Sequence, residues 1–180
     1  MMEKYPPEEL EALYNACSNT EGTPHARGAA LEDFVQHVFC AVPSVKLHAR
    51  DVKDEDGAQE VDLVLTHLQH LSKFPMPDVT IIIECKNEEA RTTASQVRDF
   101  ASKLDSRAMS IGILVTYSGL TGGTRLSAHA VIRDTLALHK VAIIVVLAHE
   151  LATLSAPEDL ATLLTDRLNE LRTFRQYRSI

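Results

Sequence analysis

Cysteine, glycine, proline and long apolar runs are all scarce in this sequence. Its three cysteines form no spaced pair and their number is odd, so neither a zinc knuckle nor a disulfide framework is indicated. Glycine and proline number seven each, which excludes collagen-like and low-complexity chains. No apolar run reaches the roughly 18 residues that cross a bilayer. The opening residues, MMEKYPPEELEAL, are too acidic and polar for a secretory signal, so we expect a cytoplasmic protein that does not contact membranes.

Positive charge is also in short supply. Lysine and arginine number 18 against 25 aspartates and glutamates, which gives a formal net charge of −7. Proteins that bind nucleic acid usually present a basic face, because neutralising phosphates drives much of their affinity. The acidic balance therefore lowers the expectation of tight, unassisted DNA binding, unless carboxylates gather around metal ions and the basic residues cluster.

The remaining composition is that of an ordinary soluble globular protein, with 45% hydrophobic and 24% charged residues. A length of 180 residues favours a single domain with a sizeable core. We predict one domain over residues 1–180, with a helical appendage over 1–20, a core over 28–154, a C-terminal helix over 155–172 and a tail over 173–180.

Hydrophobic periodicity and turn signals predict an α/β fold. Three strands in succession, then alternating helices and strands, indicate a three-layer sandwich in which helices flank a mixed central sheet of about five strands. The early strands should pair as antiparallel hairpins, and the later ones should be joined by helical crossovers. Helices are expected over Pro7–Cys17, Ala29–Phe39, Thr92–Leu104, Thr124–Leu138 and residues 155–172, and strands over Val45–Val52, Glu60–Leu65, Val79–Cys85, Ile111–Thr116 and Val141–Leu147.

Local signals add detail at two connections. The stretch from Ser18 to Gly28 is typical of a turn-rich connection. The last helix is expected to begin with a capping box formed by Ser155 and Glu158, with Pro157 in the first turn.

Charged residues in the predicted strands are the most informative feature. In the segment IIIECKN, Glu84 and Lys86 occupy alternate positions, so they project from one face of the strand while the side chain of Cys85 projects from the other. Asp62 interrupts the strand EVDLVL and lies on the opposite face from Val61. Charges at such positions are costly unless they are paired or used. If the two strands form a hairpin, Asp62 meets Glu84 near one end of the sheet.

Two carboxylates and a lysine at one place have a chemical use. Mg²⁺ prefers oxygen ligands and needs one or two protein carboxylates, to which the backbone carbonyl of Cys85 adds a further hard ligand. Such an ion neutralises a scissile phosphate, and a nearby lysine positions or deprotonates the attacking water or stabilises developing negative charge. The alternative is a buried ion-pair network formed by Asp62, Glu84 and Lys86, without catalytic function.

At these residues the chain resembles a known family. Asp62, followed by Glu84-x-Lys86 at the end of an apolar strand, is similar to the signature of the PD-(D/E)xK, or restriction-endonuclease-like, nuclease superfamily. RGAALEDFVQHVF resembles the first helix of that fold, while ASQVRDFASKL and GILVTYSGLTGG resemble the helix, strand and loop of its Mrr-like restriction endonuclease branch. The resemblance spans residues 28–154. It departs from the pattern at Val61, which replaces the motif's proline, and in the long stretch between Asp62 and Glu84.

The resemblance implies site residues and a cofactor. Asp62, Glu84 and the Cys85 carbonyl would bind Mg²⁺, with Mn²⁺ as a substitute, and Lys86 would act on the attacking water or the phosphate. Glu32 would assist the metal site, and Gln96 would orient the phosphate or the water. Residues proposed to contact the nucleic-acid backbone are Arg27, Arg50, Lys53, Arg91 and Arg98.

The predicted function is a metal-dependent endonuclease that hydrolyses phosphodiester bonds of DNA. With no helix-turn-helix or zinc module evident, specificity would come from loops, from a homodimer or from a partner protein. A Holliday-junction resolvase, an RNA-cleaving or defence-system nuclease of the same fold, and an inactive binding or assembly module are the alternatives. Preference for four-way junctions would distinguish the resolvase, and failure to bind metal would favour the inactive module.

Overall fold

A computed structural model describes residues 5–18, 23–54, 57, 59–68, 74–122 and 127–177. The strands and helices alternate largely as the sequence predicts, and all five predicted strands form. In chain order the elements are α1 (Pro7–Cys17), α2 (Pro24–Cys40), β1 (Val45–Lys53), β2 (Glu60–His67), β3 (Thr80–Lys86), α3 (Ala94–Ser106), β4 (Ile111–Thr116), α4 (Ala128–His139), β5 (Ala142–Leu147), α5 (Ala148–Ala152) and α6 (Pro157–Phe174).

The five strands form one mixed sheet in the order β1-β2-β3-β4-β5. Strands β1, β2 and β3 pair antiparallel, whereas β3, β4 and β5 pair parallel. The change of direction follows from the connections, because parallel neighbours need a crossover and here α3 and α4 provide it. The mixed sheet flanked by helices confirms the predicted α/β fold.

Helices cover the sheet from both sides, and two ion pairs show which helix lies on which face. Lys103 of α3 contacts Glu84 of β3, so α3 lies on the face to which Glu84 projects. Arg50 of β1 pairs across the ladder with Leu63 and contacts Glu32 of α2, so α2 lies on the opposite face. Between these layers, the apolar side chains of the strands are buried in one continuous core.

Helix α2 begins five residues earlier than the predicted start at Ala29. The side chain of Thr23 accepts a hydrogen bond from the Ala26 amide, and Pro24 occupies the first helical turn, where its missing N–H costs nothing. The prediction of a turn-rich connection up to Gly28 was therefore wrong from Pro24 onward, because a glycine in the first turns of a helix was taken for a loop signal.

The cap of α6 and the segment before that helix also differ from the predictions. At the start of α6 the amides of Ser155 and Ala156 donate to the carboxylate of Asp159, so Asp159 and not Ser155 provides the cap. Between β5 and α6 a short helix, α5, forms where none was predicted. The predicted start of the fourth helix at Thr124 lies outside the described residues, and the helix there is capped by Ser127. In the described part of the chain, no helix is both long and apolar enough to span a membrane.

Two glycines in different surroundings give a matched stability prediction. A Cβ atom at Gly112 of β4 would lie 2.5 and 2.6 Å from the two Leu104 methyl carbons and 2.9 Å from the Phe100 ring, so α3 packs directly on this glycine. At Gly28, inside α2, an added Cβ atom would have no neighbour within 4 Å. We expect Gly112→Ala to destabilise the protein by about 1–3 kcal/mol through overpacking. Gly28→Ala should instead stabilise it by about 0.4–1 kcal/mol through reduced unfolded-state entropy.

Urea unfolding of both variants beside the natural protein tests this pair. Because the chemical change is the same, the sign of the difference reports the local packing. A Gly112→Ala variant as stable as the natural protein would show that Leu104 and Phe100 move aside without cost.

Candidate active site

The candidate site lies where β2 and β3 stop pairing. Their ladder runs from Thr66–Thr80 to Leu63–Ile83, so Asp62 and Glu84 stand one residue past its end. In place of a backbone carbonyl, the Asp62 carboxylate accepts a hydrogen bond of 2.6 Å from the Cys85 amide. Asp62 thus satisfies a strand amide that would otherwise lack a partner at the point where the strands separate.

Glu84 is the most buried charged group of the cluster, with 3% of its side chain exposed. Its Oε1 atom lies 2.9 Å from the Lys86 Nζ atom, so these side chains share one face of β3. The Lys103 Nζ atom of α3 donates to both oxygens of Glu84, at 2.7 and 2.8 Å. Two ammonium groups therefore stabilise one buried carboxylate, as a charge at this depth requires.

The environment of Asp62 disfavours its negative charge. Burial, and then the charge of Glu84, raise the pKa of Asp62 to about 7, although the Cys85 amide and Lys86 act in the opposite direction. Glu32 contributes in the same sense as Glu84. A carboxyl group whose charge is disfavoured by a neighbouring carboxylate is typical of sites that receive a cation.

Lys86 remains a cation in this setting. Burial lowers the pKa of Lys86, but the charge and hydrogen bond of Glu84 and the charge of Asp62 outweigh burial, so the pKa lies above its usual value. Burial also raises the pKa of the Cys85 thiol well above its usual range, which keeps the thiol protonated. The Cys85 carbonyl points toward β2, because the N–H and C=O of one strand residue face the same neighbour and its amide bonds to Asp62.

Glu32 and Arg50 form an ion pair beside the site. The Arg50 guanidinium lies 3.0 Å from Glu32 Oε2 and also contacts Asp33 and Gln36. Burial raises the pKa of Glu32 and the Arg50 hydrogen bond lowers it, with a net rise. Arg50, proposed as a nucleic-acid contact, is thus engaged by three side chains of α2 within the protein.

Gln96 connects to the site through Glu88. Its Oε1 atom accepts from the Thr93 amide at 2.8 Å and completes the capping box of α3, while its Nε2 atom donates to Glu88 at 2.6 Å. The charge of Glu88 in turn helps to raise the pKa of Lys86. Gln96 therefore acts on Lys86 only through Glu88. Both ends of its side-chain amide are already hydrogen-bonded within the protein.

The other residues proposed to contact nucleic acid differ in their exposure and in their contacts within the protein. Arg27 is half-buried and lies 3.4 Å from Glu89, and Lys53 lies 3.7 Å from Glu60 on the surface. Arg91 donates to the Leu120 carbonyl at 3.4 Å, and Arg98 is exposed on α3. Lys53, Arg91 and Arg98 are thus the exposed members of this set.

Lys103 and Glu88 are site residues that sequence reasoning missed. Lys103 follows Phe100 by three residues and so shares the inward face of α3, where a lysine needs a partner. This position among Val97, Phe100 and Leu104 was the available signal. Glu88 carries no such signal, because it lies in the connection after β3, whose path the sequence does not indicate.

The donor set fits a hard divalent cation. Among the described residues, no group of three or more histidine, cysteine, aspartate or glutamate side chains is arranged to hold a metal ion. Mg²⁺, however, commonly uses one or two protein carboxylates together with waters and substrate oxygens. Asp62 and Glu84 are two such carboxylates, and the charge of Glu84 raises the pKa of Asp62, so a cation bound by both would relieve this repulsion.

The sheet order, the aspartate on its second strand and the Glu-x-Lys on its third together define a restriction-endonuclease-like nuclease domain of the PD-(D/E)xK type. The sequence matches the Mrr_cat restriction endonuclease family over residues 26–154, well over half of the chain. The chain belongs to this family.

Solved structures support the fold assignment. The fold is similar to that in the structure of P. aeruginosa ATCC27853 NucC in its cAAA-bound form, with a TM-score of 0.56. That likeness covers 92% of this chain and 87% of the NucC chain at 13% sequence identity, so it concerns the fold alone. Comparison with curated proteins gives no match.

Proposed function

We propose that this protein is an endonuclease that hydrolyses phosphodiester bonds of DNA and depends on Mg²⁺, with Mn²⁺ as a substitute. The observation that carries the proposal is the convergence of Asp62, Glu84 and Lys86 where β2 and β3 separate. A hydrogen bond of 2.6 Å to the strand end holds Asp62, and a contact of 2.9 Å joins Glu84 to Lys86. Membership of a restriction endonuclease family supports the same reaction class.

Each residue has a role in this proposal. Asp62, Glu84 and the Cys85 carbonyl would hold the metal ion, which when bound supplies charge neutralisation at the phosphate and a more acidic water. Lys86, whose pKa is raised, keeps its proton at neutral pH and donates a hydrogen bond to the water or to a phosphate oxygen. Glu32 would assist through its charge, and Gln96 would act indirectly, by fixing Glu88 near Lys86.

Backbone contacts are proposed for the exposed basic residues Lys53, Arg91 and Arg98, and more weakly for Arg27. Arg50 would contribute through the Glu32 ion pair instead of through a phosphate. Because the net charge is −7, binding would depend on a local basic surface and on a metal ion that offsets the acidic cluster. We also propose that loops or a partner protein supply sequence specificity.

The test is a cleavage assay on linear, supercoiled, single-stranded and four-way-junction DNA and on RNA, with Mg²⁺, Mn²⁺ or a chelator. Asp62→Ala is the site variant, and Asp134→Ala, which changes an exposed carboxylate of α4, is the matched control. We expect metal-dependent DNA cleavage that Asp62→Ala abolishes and Asp134→Ala retains. Cleavage of RNA alone would favour the RNA nuclease, and preference for four-way junctions would favour the resolvase. Inactivity with both Mg²⁺ and Mn²⁺ would favour the binding module.

A homodimer is proposed as the active form. Cutting both strands of a duplex requires two such sites, and the chain carries one set of Asp62, Glu84 and Lys86. Sedimentation in the presence and absence of DNA tests the assembly, and a monomer under both conditions would count against it.

A further inference from the structure

Lys103 makes the most extensive contact with Glu84. Its Nζ atom donates to both carboxylate oxygens, at 2.7 and 2.8 Å, whereas Lys86 contacts one oxygen at 2.9 Å. Only 14% of the Lys103 side chain is exposed, compared with 22% for Lys86. Oε1 of Glu84 thus accepts from both lysines and Oε2 from Lys103, so another cation at Glu84 would share each oxygen with Lys103.

The packing of α3 brings Lys103 to this place. Helix α3 lies directly on Gly112. Leu104 and Phe100 of this helix fill the space that a side chain at position 112 would occupy. Lys103 stands between these two positions in the chain, so the close approach of the helix to the sheet carries its ammonium group to β3. Lys103 is therefore placed by a buried, well-packed helix face.

Charge balance shows what a metal ion would encounter. The cluster contains two carboxylates, Asp62 and Glu84, and two ammonium groups, Lys86 and Lys103. A divalent ion bound by the same carboxylates would add two positive charges within a few ångströms of both ammonium groups. In a site this buried, cation–cation repulsion is strong, so the contact between Lys103 and Glu84 competes with metal binding.

Resting on the proposed metal-dependent function, we propose that Lys103 is a positioning residue that takes the place of the metal ion at Glu84. It holds the carboxylate at the sheet end while the ion is absent, and it lowers the affinity of the site for the ion by competing for the same oxygens. Lys86 keeps Glu84 in position once the ion binds.

The test measures Mn²⁺ binding by calorimetry on the DNA-free protein. In Lys103→Met, which removes the charge at similar length, we expect the Kd for Mn²⁺ to fall about tenfold, within the range by which groups around metal ligands alter affinity. Lys103→Arg should remain within about threefold of the natural protein, because the charge is kept. Lys46→Met, at an exposed position of β1, is the control and should leave the Kd unchanged.

Thermal unfolding separates this role from a purely structural one. Lys103→Met should have a lower Tm than the natural protein in chelator and regain most of the difference in saturating Mn²⁺. An equal loss of Tm under both conditions, with an unchanged or weaker Kd, would overturn the proposal. Lys103→Gln, which keeps a hydrogen-bond donor without the charge, should shift the Kd in the same direction and serves if Lys103→Met does not fold.

These measurements distinguish failure of the Lys103 proposal from failure of the proposed function. If the natural protein binds Mn²⁺ and cleaves DNA but the Kd does not respond to Lys103, only the role of Lys103 is wrong. If the natural protein binds no Mn²⁺, the metal-dependent function is wrong and the role of Lys103 falls with it.

Discussion

We expect Lys86→Met to reduce the rate of DNA cleavage by about a thousandfold or more while the protein stays folded. A donor aimed at developing charge in a water-poor site contributes about 10²- to 10³-fold, and positioning of the attacking water adds to this. The fold should persist because Lys103 still contacts both oxygens of Glu84. The measurement is single-turnover cleavage at saturating Mn²⁺, with the Tm recorded for the same preparations.

Two variants control for the effect of Lys86→Met. Lys86→Arg keeps the positive charge but not the compact ammonium group, so an intermediate rate would show that geometry as well as charge matters. Lys46→Met removes an exposed lysine of β1 and should cleave at the natural rate. A Lys86→Met protein that cleaves within tenfold of the natural protein would remove Lys86 from the reaction.

Asp62→Asn should stabilise the metal-free protein at high pH and have no effect at low pH. Burial and Glu84 raise the pKa of Asp62 from 3.8 to about 7, so the unfolded chain ionises this group more readily than the native protein does. The native protein consequently binds the extra proton between those pH values, and its stability falls as pH rises through that range. Asparagine stays neutral and its side-chain oxygen still accepts the Cys85 amide. The expected gain is about 2–4 kcal/mol at pH 8.

Urea unfolding in chelator over a pH series measures this difference. The gain should be near zero at the lowest pH, increase through the window between the two pKa values and level off above it. Asp134→Asn, at an exposed position of α4, should show no such trend. A gain of equal size at every pH would mean that packing, and not the charge of Asp62, causes it.

Much of this architecture can be predicted from local sequence patterns. The buried strands β3, β4 and β5 are continuous apolar runs, and β2 alternates, so their existence and order follow from hydrophobic patterning. The residues at which helices begin are harder to predict from the sequence, because they depend on single capping hydrogen bonds. Thr23 and Asp159 supply the caps of α2 and α6, and either residue could equally have served a turn.

The candidate site likewise contains some residues that the sequence predicts and others that it does not. Asp62, Glu84 and Lys86 stand out in the sequence because charge interrupts apolar strands. Lys103 reaches Glu84 only through the packing of α3 on the sheet, a long-range contact that periodicity alone does not specify. Arg50 was expected to face a phosphate, and its actual partner, Glu32, lies on a helix whose distance from β1 is a tertiary property.

The sheet follows chain order, so every strand neighbours the one made just before it. The four charged groups that meet at the strand ends all lie between Asp62 and Lys103, a short continuous stretch that forms one hairpin and its following helix. Loop closures within such a stretch are short and entropically inexpensive. During synthesis from the N-terminus, these groups can therefore assemble before β5 and α6 have emerged. Of the later elements, β5 extends the sheet beside β4, away from the strand ends where the charged groups meet.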